Sequence, residues 1–598
     1  MECMKPYLKK IIFILLSIMF LMLYMNSSKL RSLFDAEIVS VKVIKEDDLQ
    51  IMISDKEKAD MDPNFLFDGA NIGYDVETDT VYIPQNMNNE SFEGDLKSSE
   101  PGTEIFFAED ELFKTKSDAI SEGHVFDLYR IDDENYHVYR VVFTGMPVMN
   151  VTTQDTEEKF FDSEGREIYS GTVQVYDPYH SSAQLQIAEC TYHIRGASSI
   201  GYKKPNYKLE LTGKKHSFLG MREDDDWILN SLYDDAGLVH NKVSIQMWRE
   251  IAEYNNVPND EGINGEYLEL FVDNEYRGVY LLTERVDKKT LSLGKKDILY
   301  KCRADRIPEE HNYTNEDTDD MRPIFLLKYP KDPKDEDWDP LKVWVNYYLK
   351  EEFETYEEGA AILNMENSVD YNLFCLLIGG MDNLRKNVYF VAKYQDDGTY
   401  EYIKIPWDMN ATWGNPWVDY EEYNYTLYDP NYFCDVSTWV TDMSVLYYYD
   451  EEKVSSLLYE RWKELRQNEV ITVDKIRNMF DEQFAYLYSS GAYKRNYERW
   501  PNGTEYWSDE YAYEFVDKRV AFLDQYFEQL YLGNVTPAIY DGIDYSDEFE
   551  ARYYWENNYD TLSQIYTYDR QQLLEHYALY GKQFGLSARK TAGKEETE

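Results

Sequence analysis

The segment from residue 379 to residue 414 constrains the fold of this 598-residue chain most strongly. Its first part holds Asp382, and Asn387 follows five positions later. Two alternating apolar strands then flank the Asp-Asp-Gly sequence at 396–398, which predicts a β-hairpin with a tight turn. The second strand ends at Asp408, at the start of a further turn. The segment therefore predicts a hairpin with one acidic residue before it and another directly after it.

A buried helix is predicted immediately before this segment. Residues 369–378 are apolar on almost every side in their second half, and Ser368 is of the type that caps helix N-termini. Such a helix delivers the chain directly to Asp382. Cys375 lies within it and is expected to be a core residue.

The length and charge of the chain limit the class of protein. A chain of 598 residues is too long for a single hydrophobic core, and it predicts three or four domains. The net charge of −52 argues against a nucleic acid partner, because a polyanion would be repelled. The same charge favours a solvated surface and the binding of cations or of a basic partner.

The first 30 residues predict a targeting segment. Lys5, Lys9 and Lys10 precede an apolar run over residues 11–25, which fits a signal anchor or the apolar part of a signal peptide. No clear cleavage site follows, so an uncleaved membrane anchor is favoured over a cleaved signal. Because positive charges stay inside, most of the chain is expected to be extracellular, or secreted if the signal is cleaved. The five cysteines are widely spaced and predict neither a disulfide framework nor a zinc site.

Residues 36–160 have the composition of a β-rich N-terminal domain. Strand patterns occur at 38–43, 80–84 and 136–143, with turn residues between them. No cluster of catalytic residue types stands out in this part of the sequence. We therefore interpret it as a spacer or recognition module.

Residues 165–300 show the order hairpin, helix, hairpin. The first hairpin holds a small-residue loop, Arg195-Gly-Ala-Ser198-Ser199, followed by Lys204 and by a strand that carries Lys208 on its polar face. Backbone N–H groups of such a loop can approach phosphates, and a nearby lysine can supply a point charge. A helix follows from about Val239 with an apolar residue every fourth position, and residues 267–284 form the second hairpin.

The remainder of the chain is charged and then helical. Residues 300–360 are rich in charge and loop formers, which indicates an insertion or a substrate-facing segment. Helical periodicity is clear at 454–465 and 513–523. A separate tail module of two helices is expected at 540–590. Its Tyr and His motifs resemble short C-terminal repeats of secreted bacterial proteins, which suggests contact with the cell surface.

Several segments between residues 165 and 530 together resemble the spore coat protein H (CotH) family of atypical protein kinases. They are Arg195-Gly-Ala-Ser-Ser with Lys203-Lys204-Pro and Tyr207-Lys208-Leu, Gly278-Val-Tyr-Leu-Leu-Thr-Glu284, Asp382-x-x-x-x-Asn387, and Trp407-Asp408-x-Asn410 through Gly414. The resemblance implies an α+β fold with an atypical kinase-like core of two lobes. The N-lobe would occupy residues 165–300 and the C-lobe residues 340–530, between the β-rich domain and the helical tail.

The resemblance also implies an activity and the residues that serve it. Kinases of this family transfer phosphate from ATP to Ser or Thr of secreted, cell-surface or spore-coat proteins, with Mg²⁺ or Mn²⁺ as the assisting metal. Asp382 corresponds to the catalytic-loop aspartate that orients the hydroxyl group. The resemblance also places Lys204 or Lys208 on the phosphates, and Arg195, Ser198 and Ser199 in the phosphate loop. Glu284 would lie at the hinge or line the nucleotide cleft, and Glu250 would be a partner acid on the helix. The implied metal ligands are Asn387, Asp408 and Asn410.

The chain departs from the family pattern at two places. The family's second motif usually reads Trp-Asp-x-Asp, whereas this chain has Asn410 at the last position. Asparagine still offers an oxygen to a hard cation, but it removes one negative charge. The His and Arg that precede a kinase catalytic aspartate are replaced by Gly380 and Met381, so control through such an arginine is not expected.

Two classes of function follow. The first is an extracytoplasmic, membrane-anchored protein kinase that uses ATP and a divalent metal and acts on a secreted or surface protein. The second is a cell-surface scaffold or adhesion protein with a weak or inactive kinase-like core, whose terminal modules contact the cell wall. Nucleic acid is not an expected partner of either.

Overall fold

The computed structural model describes residues 39–589 apart from short internal stretches. The stretches outside the description are 41, 101, 109–114, 155–158, 163–164, 181–183, 305–323, 416–440, 502–508, 532–537 and 567–569. The predicted signal anchor at 1–30 therefore lies outside the described residues. Among the residues that are described, no helix combines the length and the apolar character that a membrane span requires.

The chain divides into two compact units. The first contains the residues up to Ser231 together with 267–282 and 486–500. The second contains 232–266, 283–485 and the residues from 501 onward. Each unit is therefore assembled from stretches that are far apart in the sequence.

The first unit begins with two small β-sheets that share an apolar core. Their elements are β1 Val39–Ser40, β2 Lys42–Ile44, α1 Glu46–Ile53, β3 Glu57–Lys58, β4 Phe65–Phe67, β5 Ala70–Asn71, β6 Gly73–Asp75, β7 Thr80–Pro84, β8 Leu96–Ser98, β9 Glu104–Ala108, α2 Lys116–Ser121, β10 Val125–Ile131 and β11 Asn135–Thr144. One sheet has the order β1-β8-β4-β5 and the other the order β2-β9-β10-β11-β7-β6, with β3 beside β11.

These sheets confirm the β-rich character that the sequence predicts for this region. The strands predicted at 80–84 and 136–143 are β7 and β11, which pair in parallel. The strand predicted at 38–43 is instead two short strands in different sheets, because β1 pairs with β8 and β2 pairs with β9. Phe67 and Val81 come from different sheets and are buried in one cluster.

The next eight strands of the first unit form a sheet that closes on itself. They are β12 Val148–Thr153, β13 Phe160–Phe161, β14 Glu167–Tyr176, β15 Leu185–Arg195, β16 Asn206–Leu211, β17 Asp226–Asn230, β18 Gly265–Val272 and β19 Glu275–Glu284. The order is β12-β18-β19-β17-β16-β15-β14-β13, and β12 also pairs with β14. This second pairing closes seven of the strands into a barrel, which leaves them without a free edge.

Alternation along the strands explains the barrel interior. Leu209, Trp227, Leu270 and Tyr280 come from different strands and are all buried in one cluster. Large apolar side chains fill the interior of a small barrel, and the alternate residues face outward. Lys208, next to Leu209, is therefore on the outer face of β16, as the sequence pattern predicts.

Helix α11, Ala492–Arg499, belongs to the first unit although it follows helices of the second. The buried guanidinium of Arg495 makes two hydrogen bonds of 2.9 Å to the two carboxylate oxygens of Glu269 on β18. A bidentate ion pair of this kind tolerates burial better than an isolated charge, because each charge faces its opposite at hydrogen-bonding distance.

The second unit combines a four-stranded sheet with helices. Its elements are α3 His240–Tyr254, β20 Ile298–Cys302, β21 Phe325–Tyr329, α4 Asp339–Tyr348, α5 Tyr356–Ala360, α6 Met365–Ile378, α7 Met381–Arg385, β22 Val388–Tyr394, β23 Tyr400–Pro406, α8 Asp442–Tyr449, α9 Glu451–Gln467, α10 Val473–Ser489 and α12 Asp509–Tyr531. The sheet order is β21-β20-β22-β23. The predicted helices at 454–465 and 513–523 lie within α9 and α12.

Helix α6 confirms the predicted buried helix but begins earlier than expected. Its N-cap is Asn364, whose side chain accepts a hydrogen bond from the backbone N–H of Asn367. Ser368 is a fully buried residue inside the helix and not its cap. Apolar periodicity alone did not reveal this first turn, because Asn367, Ser368 and Asp370 are polar residues that the fold buries. Cys375 is buried and unbridged, as predicted.

The C-terminal part of the second unit has an apolar cluster of its own. Its elements are β24 Ile539–Tyr540, β25 Ile543–Asp544, α13 Ala551–Asn557, α14 Tyr559–Leu562, α15 Arg570–His576 and α16 Lys582–Phe584. The hydroxyl of Tyr554 and Nδ1 of His576 are 2.8 Å apart and join the two longer helices. The helical tail predicted from the sequence is thus present, with a short two-stranded sheet in addition.

Candidate active site

A single buried side chain joins the two acidic motifs of the second unit. Asn383 lies in α7, next to Asp382, and its Nδ2 donates hydrogen bonds to the carbonyl oxygens of Trp407 at 2.8 Å and of Asn387 at 3.2 Å. The backbone N–H of Trp407 also donates to the Asn387 carbonyl at 3.0 Å. The Asp382-x-x-x-x-Asn387 segment and the turn that carries Asp408 are therefore bound to each other.

The end of α6 holds this junction in place. The Tyr371 hydroxyl donates to the carbonyl oxygen of Asn383 at 2.7 Å. The buried guanidinium of Arg519 donates through Nε to the carbonyl oxygen of Leu376 at 2.8 Å. This cation satisfies a carbonyl at the helix C-terminus, where the helix dipole favours positive charge. Gly379 then ends α6 in the left-handed conformation, with φ of +64°.

Asp382 follows directly after this helix end. Its carboxylate forms an ion pair with Lys386 one turn later, with Oδ1 and Nζ 3.1 Å apart. Both side chains are partly exposed, so the carboxylate can be reached from solvent while the lysine restrains it. The sequence predicts that the Asp382 carboxylate orients the substrate hydroxyl. A carboxylate in this role must be reached by the substrate.

Asp408 projects from a turn whose neighbouring residues are buried. Trp407 and Met409 on either side belong to the core, whereas Asp408 is exposed. Its φ is +59°, and the φ of Asn387 is +54°. Asp and Asn tolerate this left-handed region better than other residues except glycine. Among the described residues, the Asp408 side chain makes no ion pair or hydrogen bond, so its oxygens are accessible.

Asn410 is bound to an aspartate from another part of the second unit. Its Nδ2 donates to Oδ2 of Asp234 at 2.7 Å. The amide of Asn415 donates both to the backbone carbonyl of Asn410 at 2.9 Å and to that of Asp234 at 3.2 Å. The turn and the segment before α3 are therefore held together at two points, and a third hydrogen bond lies within the turn.

Helix α3 supports the same turn through its first turns. The indole Nε1 of Trp413 donates to the hydroxyl of Ser244 at 2.9 Å, and that hydroxyl lies 3.0 Å from the hydroxyl of Thr412. The carboxylate of Asp235 accepts from the backbone N–H of His240 at 2.9 Å and from its Nδ1 at 2.6 Å. A carboxylate suits this place, because the dipole of a helix favours negative charge at its N-terminus.

The two candidate lysines differ in their exposure to solvent. Lys204 is buried, and its ammonium donates to the carbonyl oxygen of Val279 at 2.5 Å and to Oδ1 of Asn496 at 2.8 Å. Burial lowers the pKa of this ammonium well below its usual value. Lys204 is thus almost fully buried, with its ammonium bonded within the first unit.

Lys208 is the accessible candidate. It lies on the outer face of the barrel, where its Nζ is 2.7 Å from Glu210 and 3.5 Å from Asp226. About a fifth of its side chain is exposed, 22%. An ammonium that is held between carboxylates and reached by solvent can exchange partners, in contrast to Lys204.

The predicted phosphate loop forms a short 3₁₀ turn over Ser198–Gly201 in the first unit. Asn206 donates through Nδ2 to the hydroxyl of Ser199 at 3.2 Å. Gly196 has φ of +137°, a conformation that favours glycine, and a Cβ there would lie 2.4 Å from that hydroxyl. Arg195 is partly buried at the end of β15, and the side chain of Ser198 lies outside the described residues.

The two remaining predicted acids are Glu284, at the end of β19, and Glu250, on α3. Glu284 is buried, and its Oε2 accepts from the backbone N–H of Asn264 at 2.9 Å, which closes the hairpin end. Glu250 accepts from Nζ of Lys475 at 2.7 Å. Both Glu250 and Lys475 line a polar cavity of about 770 Å³, which none of the other predicted site residues lines. The structure thus gives Glu250 a partner other than either candidate lysine.

The donor set of the turn suits a hard divalent cation. Asn387, Asp408 and Asn410 offer carboxylate and amide oxygens, which are the ligands that Mg²⁺ and Mn²⁺ prefer. Asp408 is exposed and Asn410 has its NH₂ end engaged by Asp234, which leaves oxygen atoms for a cation. Across the described part of the chain, no three or more His, Cys, Asp or Glu residues cluster as a metal site. A cation here would therefore need further oxygens, such as those of phosphates or water.

Two comparisons with known proteins bear on this arrangement. The family model described as CotH kinase protein matches residues 192–523, which is more than half of the chain. A curated relative, the inner spore coat protein H of Bacillus subtilis (strain 168), is 24% identical over 231 residues. That alignment covers 37% of this chain and 58% of the relative, so the chain spans less than two thirds of the relative's length. The matched region contains Arg195, Asp382 and Asp408, and the chain belongs to the CotH kinase family.

Proposed function

We propose that this chain is an atypical protein kinase that transfers phosphate from ATP to Ser or Thr of a protein substrate. Family membership implies a protein kinase and the use of ATP. The observation that carries the proposal is the junction at Asn383, which binds the segment of Asp382 and Asn387 to the turn of Asp408. Phosphoryl transfer depends mainly on positioning and on charge neutralisation, and this junction positions an acid and a set of oxygen donors together.

We propose a kinase-like core of two lobes for residues 165–530. The supporting observations are the barrel with its lysine-bearing strand β16 in the first unit, and the sheet and helices around α6 in the second. The proposed N-lobe covers residues 165–300 and the proposed C-lobe residues 340–530.

Asp382 is the proposed catalytic residue. Its carboxylate accepts the hydrogen bond of the substrate hydroxyl and so orients the oxygen for attack on the phosphoryl group. Lys386 holds one carboxylate oxygen at 3.1 Å and limits the rotation of the side chain. The same lysine lowers the negative charge that an incoming phosphate would meet.

Asn387, Asp408 and Asn410 are the proposed ligands of Mg²⁺ or Mn²⁺. When bound, such a cation neutralises charge on the ATP phosphates. Asp408 supplies the only carboxylate among these three residues, and Asn387 and Asn410 supply amide oxygens. Lys208, the accessible one of the two lysines, is the proposed phosphate contact, and Arg195, Ser198 and Ser199 are proposed for the phosphate loop.

We also propose the location and partners that the sequence predicts. The apolar run at 11–25 would anchor the chain in a membrane, with the bulk extracellular, or secreted after cleavage. The substrate would be a secreted, cell-surface or spore-coat protein, and the terminal modules would contact the cell wall. Fractionation of cells with a protease-protection assay tests this topology: degradation of the bulk of the chain in intact cells supports it, and full protection contradicts it.

A radiolabelled transfer assay tests the kinase proposal. The purified full-length chain is incubated with [γ-³²P]ATP and Mg²⁺ or Mn²⁺, with a protein such as casein as acceptor. We expect label in acceptor or chain for wild type, and strong loss of label for Asp382→Asn and Asp408→Ala. Asp396→Asn is the matched control, because Asp396 is an exposed aspartate in the β22–β23 turn. Equal labelling of wild type and both active-site variants contradicts the assigned roles.

A scaffold or adhesion function with an inactive core is the second candidate. The observation that favours it is Asn410, which leaves the proposed metal site with one carboxylate among its three named ligands. Thermal shift measurements with ATP and either Mg²⁺ or Mn²⁺ discriminate between the candidates. A rise in the melting temperature supports nucleotide binding, whereas no shift with either metal supports the scaffold.

A further inference from the structure

We propose that Asp234 is a positioning residue for the cation site of the Trp407–Gly414 turn and acts through the side chain of Asn410. This inference rests on the function proposed above. The two side chains are 176 residues apart in sequence, yet Nδ2 of Asn410 lies 2.7 Å from Oδ2 of Asp234. A hydrogen bond to an ionised acceptor at this distance is charge-assisted and strong.

The chemistry of the pair determines which end of the Asn410 amide faces Asp234. An ionised carboxylate has acceptors only, so it binds the NH₂ group and rejects the carbonyl oxygen. The amide is planar, and its Oδ1 therefore points away from Asp234. Because hard cations bind oxygen and not an NH₂ group, Asp234 presents the one side-chain atom of Asn410 that can ligate Mg²⁺ or Mn²⁺.

Asp234 is itself held in place, as a positioning residue must be. Asn415 is buried, and its amide binds the backbone carbonyls of both Asp234 and Asn410. The next residue, Asp235, is buried and receives two hydrogen bonds from His240 at the start of α3. The backbone at Asp234 is therefore held from the helix side and from the turn side, and the carboxylate that it carries restricts the Asn410 amide to one orientation.

The pair also accounts for asparagine, and not aspartate, at position 410 of this chain. An Asp at position 410 would lie within hydrogen-bonding distance of Asp234, and two ionised carboxylates at that distance repel each other. With Asn410 the pair has one negative charge and one hydrogen bond. Exchanging the two side chains preserves the single negative charge and the hydrogen bond. The amide is then at position 234 and the carboxylate at position 410.

This exchange provides the experiment. Four full-length proteins are compared: wild type, Asp234→Asn, Asn410→Asp, and the double exchange, with Asp396→Asn as control for the loss of one surface carboxylate. Mn²⁺ affinity is measured by electron paramagnetic resonance in the presence of a non-hydrolysable ATP analogue, and melting temperature is measured without metal. We expect Asp234→Asn to weaken Mn²⁺ binding about tenfold, as loss of an outer-shell partner does.

The other variants give the decisive results. Asn410→Asp should lower the melting temperature without metal, and the double exchange should raise it again and bind Mn²⁺ at least as well as wild type. The inference is overturned if Asp234→Asn binds Mn²⁺ like wild type, or if the double exchange is no better than the weaker single variant. A folded wild type that binds no Mn²⁺ with the nucleotide contradicts the proposed function itself, which separates the two failures.

Discussion

Asn383 lies one residue after the proposed catalytic Asp382 and donates a hydrogen bond of 2.8 Å to the carbonyl oxygen of Trp407, one residue before Asp408. The side chain is buried and binds a second carbonyl, that of Asn387. One amide group therefore controls the spacing of the two acidic motifs. A substitution of Asn383 should therefore affect both motifs. It leaves the proposed catalytic group and the proposed metal ligands themselves unchanged.

We expect Asn383→Leu to reduce stability and activity together. The change removes two hydrogen bonds to backbone carbonyl oxygens, which costs about 1–3 kcal/mol in the free energy of unfolding. Chemical denaturation measures the stability, and the labelling assay measures phosphate transfer under conditions where the variant is folded. Loss of stability with unchanged transfer would show that the junction does not position the site. Asn383→Asp is the matched variant, because it keeps the size but removes both N–H donors.

Asp408→Gly is expected to separate activity from stability. Position 408 has φ of +59°, a conformation that glycine adopts without strain. Because no partner of the Asp408 side chain exists among the described residues, the substitution should leave the free energy of unfolding within about 1 kcal/mol of wild type, on either side. Transfer activity should be lost with the carboxylate. A variant that is stable and fully active would remove Asp408 from the metal site.

The two candidate lysines should respond differently to replacement by methionine. Lys208→Met should raise KM for ATP, because it removes the accessible ammonium. Lys204→Met should leave that KM unchanged and lower stability, because the Val279 carbonyl and the Asn496 amide oxygen lose a donor. Steady-state kinetics and denaturation on both variants check this. The opposite pattern would assign the phosphate contact to Lys204.

We expect the stability of the protein to depend on pH because the carboxyl group of Asp260 is buried. It is fully buried in the second unit, its Oδ2 accepts from the amides of Asn367 at 2.9 Å and Asn255 at 3.1 Å, and its Oδ1 has no hydrogen-bond partner in the described structure. Burial raises its pKa from 3.8 to about 7. In the folded protein the carboxyl group is therefore protonated over a pH range in which the unfolded chain has ionised it.

The sign of the effect follows from proton uptake. Between pH 3.8 and about 7 the folded state binds more protons than the unfolded state, so stability falls as pH rises and is constant above that window. The loss amounts to about 2–3 kcal/mol between pH 5 and pH 8. Asp260→Asn should remove this slope and be more stable than wild type at pH 8, whereas the exposed Asp396→Asn should keep it. Parallel stability curves for wild type and Asp260→Asn would contradict the assignment.

Much of the architecture could be predicted from local patterns. The turn at Asp396–Gly398, the hairpin over 267–284 and the helix from His240 all follow from periodicity and turn chemistry, which act within a few residues. One expectation was wrong for a physical reason. Ser368 is not a helix cap, because Asn364 caps α6 and the fold buries Ser368 inside the helix. Local patterns do not reveal which polar residues become buried.

By itself, the sequence determined the order of the elements and the types of residue at the site. It did so because Asp382, Asn387 and Asp408 lie close together in one continuous segment of the chain. Only the tertiary structure decided how these residues are held. The bonds from Asn383 to Trp407 and from Asn410 to Asp234 join residues that are 24 and 176 positions apart. Such pairs form only when burial brings distant segments together and requires each buried polar group to find a partner.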